Sequence, residues 1–563
     1  MTGPGATGAL AAAGRRTRAL LPTRSDLQGM LRRPRQDVLA GITVATVALP
    51  LAMAFGITSG LGARAGIVTA VVAGLVAALF GGSDVQVSGP TGAMTVVLAP
   101  IVATHGRVGV LQVGLLAGVV LVVLAYAGAG RWVRIVPLPV IEGFTLGIAV
   151  IIGLQQVPPA LGVHARGGRT LTAALSAVRG WSQRPAWTPL LLAATVAAVM
   201  LLVGRHRPRL PVSLALVVAA TVVVHATGLR TPLIGDVPSG LPLPHLPSVD
   251  VAGLPGLLGP AVAVAALAAL ESLLSATVAD AMSVGSRHDP DRELLGQGLA
   301  NLASPLLGGI PATAAIARTA VNVRSGAGSR LASVVHSLSL LVVLLVAAPW
   351  VSHVPLAVLA GILLATSVRM VEASSLLALL RSTRSDATVL VVTAGATVLV
   401  DLVTAVLAGL VVAGALALRQ VAASVRLDET PLDHSDHRAE ERDLLQRHIV
   451  AFRLDGPLFF GAAHAALLDL AVVDDVRVVI LRMSRVAALD ATGASVLADT
   501  ISRLESRGVT VLLSGVRPGH STVLRRLGVH DRLAHEKHLF GTTPEAIAHA
   551  LAHVGRDHAP EAA

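Results

Sequence analysis

The acidic residue Glu271 lies deep within a long apolar stretch of the sequence, and Ser275 follows four residues later. Residues four apart share one face of an α-helix. A carboxylate in the middle of a membrane is costly unless it is protonated or paired, and it usually has a function. A carboxylate beside a hydroxyl could relay a proton or bind Na⁺ weakly. The alternative is a neutral glutamic acid with a structural role.

Two short apolar segments each begin just after a proline. Residues 91–104 follow Pro90, and residues 313–324 follow Pro311 closely. A helix that begins inside a membrane leaves its first N–H groups without partners and carries partial positive charge there. Small residues at both starts would let an anion approach those N–H groups. Two such ends facing each other would form an anion site without a lysine, whereas simple kinks in ordinary spans are the alternative.

Two further side chains could contribute to such a site. Arg318 lies in the second short segment, where a guanidinium would strengthen the attraction for an anion. It could instead extend its charged end to the membrane surface or pair with Asp280. Phe55 follows Pro50 in the first apolar segment, in a chain with only 2% aromatic residues. It could line the site or pack in the core.

The composition places these residues in a membrane protein. The chain has 563 residues, of which 53% are hydrophobic and 14% charged, and its mean hydropathy is +0.73. A soluble domain usually has about 25% charged residues. The chain has no cysteine, which excludes disulfides and thiolate metal sites. We expect no metal and no cofactor.

The sequence contains about fourteen apolar segments. The length of each is compared with the roughly 20 residues that a helix needs to span a membrane. They are 38–59, 65–81, 91–104, 108–127, 136–157, 187–204, 210–227, 258–283, 294–308, 313–324, 331–348, 355–371, 386–401 and 403–424. Most loop arginines fall on one side of the membrane if the segments alternate, with 158–186 as the exception. The positive-inside rule then predicts a multi-pass protein of the cell membrane with both termini in the cytoplasm. The net charge of +11 thus reflects topology and not nucleic-acid binding.

The two short segments indicate an internal repeat. Pro90 and Pro311 are 221 residues apart, and the same offset relates Pro50 to Glu271. Seven segments separate the equivalents, and because seven is odd the second copy must be inverted. Inverted repeats with paired interrupted helices indicate the central site of a membrane transporter.

The composition changes after residue 426. Residues 427–446 are charged and contain histidines, which favours a polar linker over a metal site. From residue 447 on, strand-like runs at 449–454, 476–481 and 509–513 alternate with helical runs at 462–468, 492–506, 521–527 and 544–553. This alternation predicts a small α/β domain. The predicted order is a basic segment at 1–36, a transmembrane domain at 37–426, a linker at 427–446 and the α/β domain at 447–563.

From about residue 37 to its end, the chain resembles the SulP family of sulfate permeases and related anion transporters. The segments that carry the resemblance are 48–55, 87–94, 270–275, 293–298, 308–311 and 317–322, with Ala279, Asp280 and Asn301. The C-terminal part resembles a STAS domain, with residues 489–493 at its usual strand-to-helix turn. Thr492 matches a phosphorylatable position of related domains, which implies regulation. An ordinary helix N-cap at Asp490 is the alternative.

The resemblance implies a transmembrane domain of fourteen segments in 7+7 inverted repeats, which form a core domain and a gate domain. The anion would lie between the N-termini of the third and tenth helices. The implied substrate-binding residues are Phe55, Thr91, Gly92, Ala93, Ala314, Ala315 and Arg318. Glu271 and Ser275 would serve the coupling ion. Bicarbonate-type relatives have Asp and Thr at these two positions and bind Na⁺ there, so the longer Glu271 favours H⁺.

The expected function is therefore secondary active transport, with proton-coupled symport of sulfate or a similar small anion by elevator-like motion of the core. Bicarbonate, with or without Na⁺ coupling, and C4-dicarboxylates are alternative substrates. No Walker A pattern is present, so ATP does not drive the transport directly, and we expect no enzyme activity. The family suggests a homodimer. A membrane-anchored STAS signalling scaffold is the alternative of another class, but a scaffold needs no carboxylate in mid-membrane.

Overall fold

The computed structural model consists of two compact units, Met1–Leu410 and Val411–Ala563. The residues that it describes are 16–131, 136–163, 170–207, 212–247, 254–283, 287–400, 402–423, 425–429, 448–459, 476–533 and 538–556. The first unit is helical, and the second contains a mixed sheet with helices. The domain boundaries predicted from the sequence, including that of the basic segment, stay a prediction.

The described helices from the N-terminus to residue 422 follow one another with short connections. They are α1 (Arg24–Met30), α2 (Pro34–Thr58), α3 (Ala63–Phe80), α4 (Gly92–Ala127), α5 (Leu138–Leu161), α6 (Thr170–Gln183), α7 (Trp187–His206), α8 (Val212–Thr227), α9 (Leu254–Met282), α10 (Pro290–Leu306), α11 (Ile316–Arg324), α12 (Arg330–Val346), α13 (Ala348–Val351), α14 (Leu356–Met370), α15 (Ala373–Ser382), α16 (Arg384–Leu399) and α17 (Leu402–Ala422). Two short strands, β1 (Ser88–Gly89) and β2 (Thr313–Ala314), precede α4 and α11.

Each of the fourteen predicted segments overlaps one of these helices. The segments 91–104 and 108–127 both lie in α4, where they meet at Gly106 with φ 63° and ψ −164°. Within the described residues, eight helices are long and apolar enough to cross a membrane. The chain is thus a multi-pass membrane protein, while the number of fourteen crossings stays a prediction. The sequence did not predict α6, which lies in the long loop 158–186.

Polar side chains begin several of these helices. Asp289 accepts hydrogen bonds from the N–H groups at the start of α10, and Ser329 and Thr383 do the same for α12 and α16. Such caps satisfy N–H groups that have no partner within the helix. These polar residues interrupt the apolar runs, so the run edges in the sequence predict the helix starts closely.

The N-terminal residues from Arg16 onward pack against the helical unit. Arg16 forms an ion pair of 2.7 Å with Asp291, and Arg292 forms one of 2.8 Å with Asp26. Burial alone would raise the pKa of Asp26. The hydrogen bonds from Arg292 and Thr23 outweigh burial, so the pKa of Asp26 is lowered to about 2. Asp26 is therefore ionised at neutral pH, and α1 is held against α10. Residues 1–15 of the predicted basic segment lie outside the described residues.

Close helix packing depends on glycines at the contact of α2 with α3. A Cβ atom at Gly66 would lie 1.9 Å from the carbonyl oxygen of Ala52 and 3.0 Å from the Cα atom of Gly56. No side chain fits in this space, and small residues allow such approach between membrane helices. The helices α2 and α3 are thereby fixed to each other.

We expect Gly66→Ala to separate α2 from α3 and to destabilise the protein by about 1–3 kcal/mol, as is typical of overpacking. The measurement is the thermal unfolding midpoint of the purified protein in detergent. Gly395→Ala in α16 is the matched control, since no atom lies within 4 Å of a Cβ placed there. Equal midpoints for the two variants would contradict the close contact.

The second unit contains a five-stranded sheet in the order β3-β4-β5-β6-β7. The strands are β3 (Arg426–Glu429), β4 (Ile449–Leu458), β5 (Val478–Leu489), β6 (Thr510–Ser514) and β7 (Leu539–Phe540), and the described helices are α18 (Ala491–Glu505), α19 (Pro518–Arg526), α20 (Val529–Arg532) and α21 (Thr543–Arg556). β3 runs antiparallel to β4, and the other neighbours are parallel. The predicted alternation of strands and helices is confirmed, while the predicted helix 462–468 lies outside the described residues.

Residues 427–429, which the sequence analysis assigns to the linker, form part of a strand. They belong to the edge strand β3, where Leu427 pairs with Leu454 and packs against the core of this unit. Asp428 and Glu429 are exposed there. Charged residues are usual on edge strands because they hinder further strand pairing, so they concealed the strand in the sequence. The rest of the predicted linker lies outside the described residues.

Candidate functional site

The strands β1 and β2 bring two helix starts together in the interior of the helical unit. They pair antiparallel, with Ser88 opposite Ala314 and Gly89 opposite Thr313. Because the strands run in opposite directions, α4 and α11, which follow them directly, also leave in opposite directions. The structure thus confirms that the two short segments are inverted, and the strand pair brings their N-terminal ends together.

The structure corrects the repeat offset derived from the prolines. The helices α4 and α11 begin at Gly92 and Ile316, which gives 316 − 92 = 224. The strands begin at Ser88 and Thr313, which gives 313 − 88 = 225. The predicted offset of 221 was therefore wrong by about one helical turn. Pro90 directly precedes the helix cap, whereas Pro311 precedes β2, so these two prolines are not equivalent.

Thr91 caps the first of the two helices. Its Oγ1 accepts a hydrogen bond of 3.3 Å from the N–H of Met94 and donates one of 3.0 Å to Oε2 of Glu271. The first bond within the helix runs from the N–H of Thr95 to the carbonyl of Thr91. In the part of the chain that the structure describes, the N–H groups of Gly92 and Ala93 have no hydrogen-bond partner. The sequence predicts that these N–H groups bind the anion, and this role stays a prediction.

The second helix start differs in register from the prediction. The N–H of Ala315 donates to the carbonyl of Val87 at 3.1 Å, and Ala314 lies within β2. The first bond within α11 runs from the N–H of Thr319 to the carbonyl of Ala315. The N–H groups without a described partner therefore begin at Ile316. They belong to the first turn of α11, one residue after the predicted pair.

Arg318 lies in this first turn and is 3% exposed. Its Nη2 donates to the carbonyl of Pro90 at 3.0 Å, while its Nη1 has no partner among the described residues. The guanidinium passes over β1 so closely that a Cβ at Gly89 would lie 2.5 Å from Nη1. The two alternatives from the sequence are wrong, because Arg318 does not reach the surface and Asp280 contacts His288 at 2.7 Å instead. A buried cation with a free donor faces the helix starts.

Glu271 and Ser275 have separate partners although they share a helix face. Ser275 Oγ donates to Oγ1 of Thr319 at 3.1 Å, and the same Oγ1 accepts from the N–H of Val87 at 3.1 Å. Glu271 instead accepts from Thr91. Ser275 is thus joined to α11 and β1, whereas Glu271 is joined to the cap of α4. The sequence motif contains Thr319, but no pattern in it indicated this contact.

Two buried amides hold the strand pair in place. Asn301 donates to the carbonyl of Ala312 at 2.8 Å and accepts from the N–H of Ala312 at 2.8 Å. Gln297 donates to Ser88 Oγ at 2.7 Å and to Glu293 Oε1 at 2.9 Å. Both amides are 0% exposed. They lie in segments that carry the family resemblance, but their role was not predicted, because it depends on contacts with distant residues.

Apolar side chains cover the start of α4. A Cβ at Gly92 would lie 2.3 Å from Cδ1 of Ile152 and 3.2 Å from Cε1 of Phe55. Phe55 is therefore beside the site, where the sequence predicts it, and Ile152 of α5 was not predicted. A cavity of about 1260 Å³ adjoins this region and is lined by residues of α2, α4, α5, α6, α9, α14 and α16. The described residues that line it include no Asp, Glu, Lys or Arg.

The predicted regulatory residue lies in the second unit. Asp490 Oδ1 accepts from the N–H of Gly493 at 2.7 Å and caps α18. Thr492 follows in the first turn and is exposed. The N-cap alternative for Asp490 is therefore confirmed, and the regulatory role of Thr492 stays a prediction.

Comparison with known proteins gives the family. The sequence profile of the Sulfate permease family matches residues 35–393, and that of the STAS domain matches residues 444–546. The chain therefore belongs to the sulfate permease family, as its motifs predict, and is an anion transporter and not an enzyme.

Individual relatives match nearly the whole chain. The putative sulfate transporter YvdB of Bacillus subtilis is 35% identical over 529 residues, which cover 91% of this chain and 96% of that protein. The bicarbonate transporter BicA of Picosynechococcus sp. is 31% identical over 548 residues, which cover 92% and 95%. The fold is also that of the murine anion transporter Slc26a9 in its inward-facing state, with a TM-score of 0.82, 18% identity and coverage of 95% and 94%.

We expect Asn301→Ala to loosen β2, because the buried N–H of Ala312 loses its acceptor at a cost of about 1–3 kcal/mol. Amide hydrogen exchange should accelerate in peptides that cover residues 310–318. Asn322→Ala is the matched control, since this 0% exposed amide donates to Val85 instead. Unchanged exchange at 310–318 in Asn301→Ala, or the same increase in the control, would contradict the role of Asn301.

Proposed function

We propose that this protein is a secondary active transporter that couples the uptake of sulfate or a similar small anion to protons. The observation that carries the proposal is the pair of facing helix N-termini with the unpaired donor of Arg318 beside them. A helix N-terminus carries roughly half an elementary positive charge and presents N–H groups along its axis. Two of them together with one guanidinium provide donors on three sides of a bound anion.

Glu271 is proposed as the coupling residue because it is joined to this site by one hydroxyl. Thr91 donates to the carboxylate and accepts from the first turn of α4. An ionised carboxylate so close to the anion would repel it in a medium of low dielectric constant. Protonation of Glu271 removes this repulsion, so that anion and proton bind more tightly together than either does alone. Such mutual stabilisation is what symport requires.

The contacts of Ser275 favour H⁺ over Na⁺ in this scheme. Its hydroxyl donates to Thr319 and is not directed to the Glu271 carboxylate, so the two oxygens do not form a joint cation site. Hard cations need several oxygen ligands at once. A single carboxylate with one hydroxyl neighbour is better suited to exchange a proton.

We also propose the elevator-like motion that the family resemblance implies. The helix α4 packs mainly against α9 and α10, whereas α5 packs mainly against α14 and α16, and residues of both groups line the cavity. Sliding of one group along the other would carry the site across the membrane without a change in the β1–β2 pair. Cytoplasmic termini, a homodimer and regulation through Thr492 complete the proposal.

Bicarbonate, with or without Na⁺ coupling, is the second candidate substrate. The observation that favours it is the similarity to BicA, whose name describes a bicarbonate transporter and which matches over nearly its whole length. Backbone N–H groups and one guanidinium bind any small oxyanion, so the site chemistry is compatible with both. Uptake of each labelled anion into liposomes distinguishes them.

We expect Glu271→Gln to abolish anion accumulation driven by a pH gradient while anion exchange at equal pH persists, because the amide cannot carry the proton. The assay uses purified protein in liposomes with labelled sulfate or bicarbonate under imposed H⁺ or Na⁺ gradients. Glu142→Gln is the control, since this carboxylate accepts from Ser375 away from the site. Undiminished proton-driven accumulation in Glu271→Gln would contradict the coupling assignment, and accumulation that follows only Na⁺ would contradict proton symport.

We expect Arg318→Gln to weaken anion binding about ten- to a hundredfold, which corresponds to the loss of a charge-assisted hydrogen bond. Isothermal titration of the purified protein with each anion provides the dissociation constants. Arg324→Gln is the matched control, because Arg324 is an exposed residue in the last turn of the same helix. Equal affinities in the two variants would exclude Arg318 from the anion site.

A further inference from the structure

The start of α4 is covered by two apolar side chains from different helices. Ile152 of α5 is 1% exposed, and Phe55 of α2 is 7% exposed. Both approach Gly92 so closely that a Cβ atom there would lie 2.3 Å from Cδ1 of Ile152 and 3.2 Å from Cε1 of Phe55. This space does not admit a methyl group, so it does not admit an oxyanion.

The cavity reaches close neighbours of these side chains on all three helices. Its lining residues nearest to the contact are Ala54 and Ile57 of α2, Val96 and Val97 of α4, and Ile151 and Leu154 of α5. Among the described residues that line the cavity, neither Gly92 nor Phe55 nor Ile152 is present. Because the neighbours of Phe55 and Ile152 line the cavity while these two side chains contact Gly92, the pair of side chains lies between the cavity and the free N–H groups.

Ile152 differs from Phe55 in the helix that carries it. Phe55 lies on α2, which packs mainly against α3 and α12, whereas Ile152 lies on α5, which packs mainly against α14 and α16. A movement of α5 relative to α4 therefore withdraws Ile152 and leaves Phe55 in place. Removal of an apolar side chain also opens a path that a hydrated anion can enter without contact with hydrocarbon.

We infer that Ile152 is the removable half of an apolar barrier, formed with Phe55, that closes the anion site toward the cavity. The inference rests on the proposed function only in that the N–H groups behind the barrier serve as the ligand site. Displacement of Ile152 with α5 exposes the site. Ile152 thus controls access and does not itself bind the anion.

The chain has no cysteine, so single cysteines can be introduced without removing others. Ala93→Cys places a thiol behind the barrier, since Ala93 is 1% exposed, and Val96→Cys places one in the cavity lining. Each is made in the wild-type chain, in Ile152→Ala and in Ile151→Ala. Ile151 is the matched control, because it is the neighbouring buried isoleucine and it lines the cavity. The rate of reaction with a charged methanethiosulfonate is measured on the purified protein in detergent.

We expect Val96→Cys to react rapidly in all three backgrounds and Ala93→Cys to react slowly in the wild-type chain. In Ile152→Ala the reaction of Ala93→Cys should accelerate about tenfold or more, since labelling of a closed site follows the population of its open form. Ile151→Ala should leave it unchanged. Should Ile152→Ala fail to fold, Ile152→Val removes one methyl group and should give a smaller acceleration.

Three results would overturn the inference: an unchanged rate for Ala93→Cys in the Ile152 variants, an equal acceleration in Ile151→Ala, or rapid reaction of Ala93→Cys in the wild-type chain. Added sulfate, bicarbonate or chloride tests the proposed function separately. If one of these anions protects the exposed Ala93→Cys thiol, the helix starts bind it. Acceleration without protection by any of them would contradict the proposed anion site and leave the barrier standing.

Discussion

The pairing of two residues in β1 with two in β2 determines the arrangement of the helical unit. The pair is too short to be stable in isolation, and it persists because buried amides of α10 bond to it from one side. Its antiparallel direction sets α4 and α11 in opposite directions, and its register decides which N–H groups stay free. Every feature of the candidate site follows from these few backbone bonds.

The electrostatics of the site are unusual because the buried guanidinium of Arg318 lies near the Glu271 carboxyl group but forms no ion pair with it. Arg318 forms no ion pair in the described part of the chain, and the carboxylate in the region is hydrogen-bonded to a hydroxyl instead. A buried guanidinium without a counterion is expensive in free energy. In the proposed transporter the substrate supplies that missing charge, so the cost is reduced whenever an anion is bound.

The sequence predicted what depends on local chemistry. Helix starts follow from prolines, small residues and caps, so both short helices and their opposed direction were predictable, and the rarity of aromatic residues directed attention to Phe55. The register of β2 could not be predicted, because Pro311 resembles Pro90 in the sequence but precedes a strand and not a helix cap. Likewise Ile152 and Thr319 act through contacts between distant segments, and isoleucine and threonine are common in any membrane helix.

The corrected offset makes Met94 and Arg318 equivalent, because both are the third residue of their helices. Two identical halves would have placed either two arginines or none at the centre of the molecule. Because the halves differ at this position, Arg318 is the single fixed cation there. Its charge neutralises a monovalent anion completely and half of the charge of a divalent anion. In the proposed transporter a divalent oxyanion would require Glu271 to be neutral, so the asymmetry between the halves would link substrate valence to proton stoichiometry.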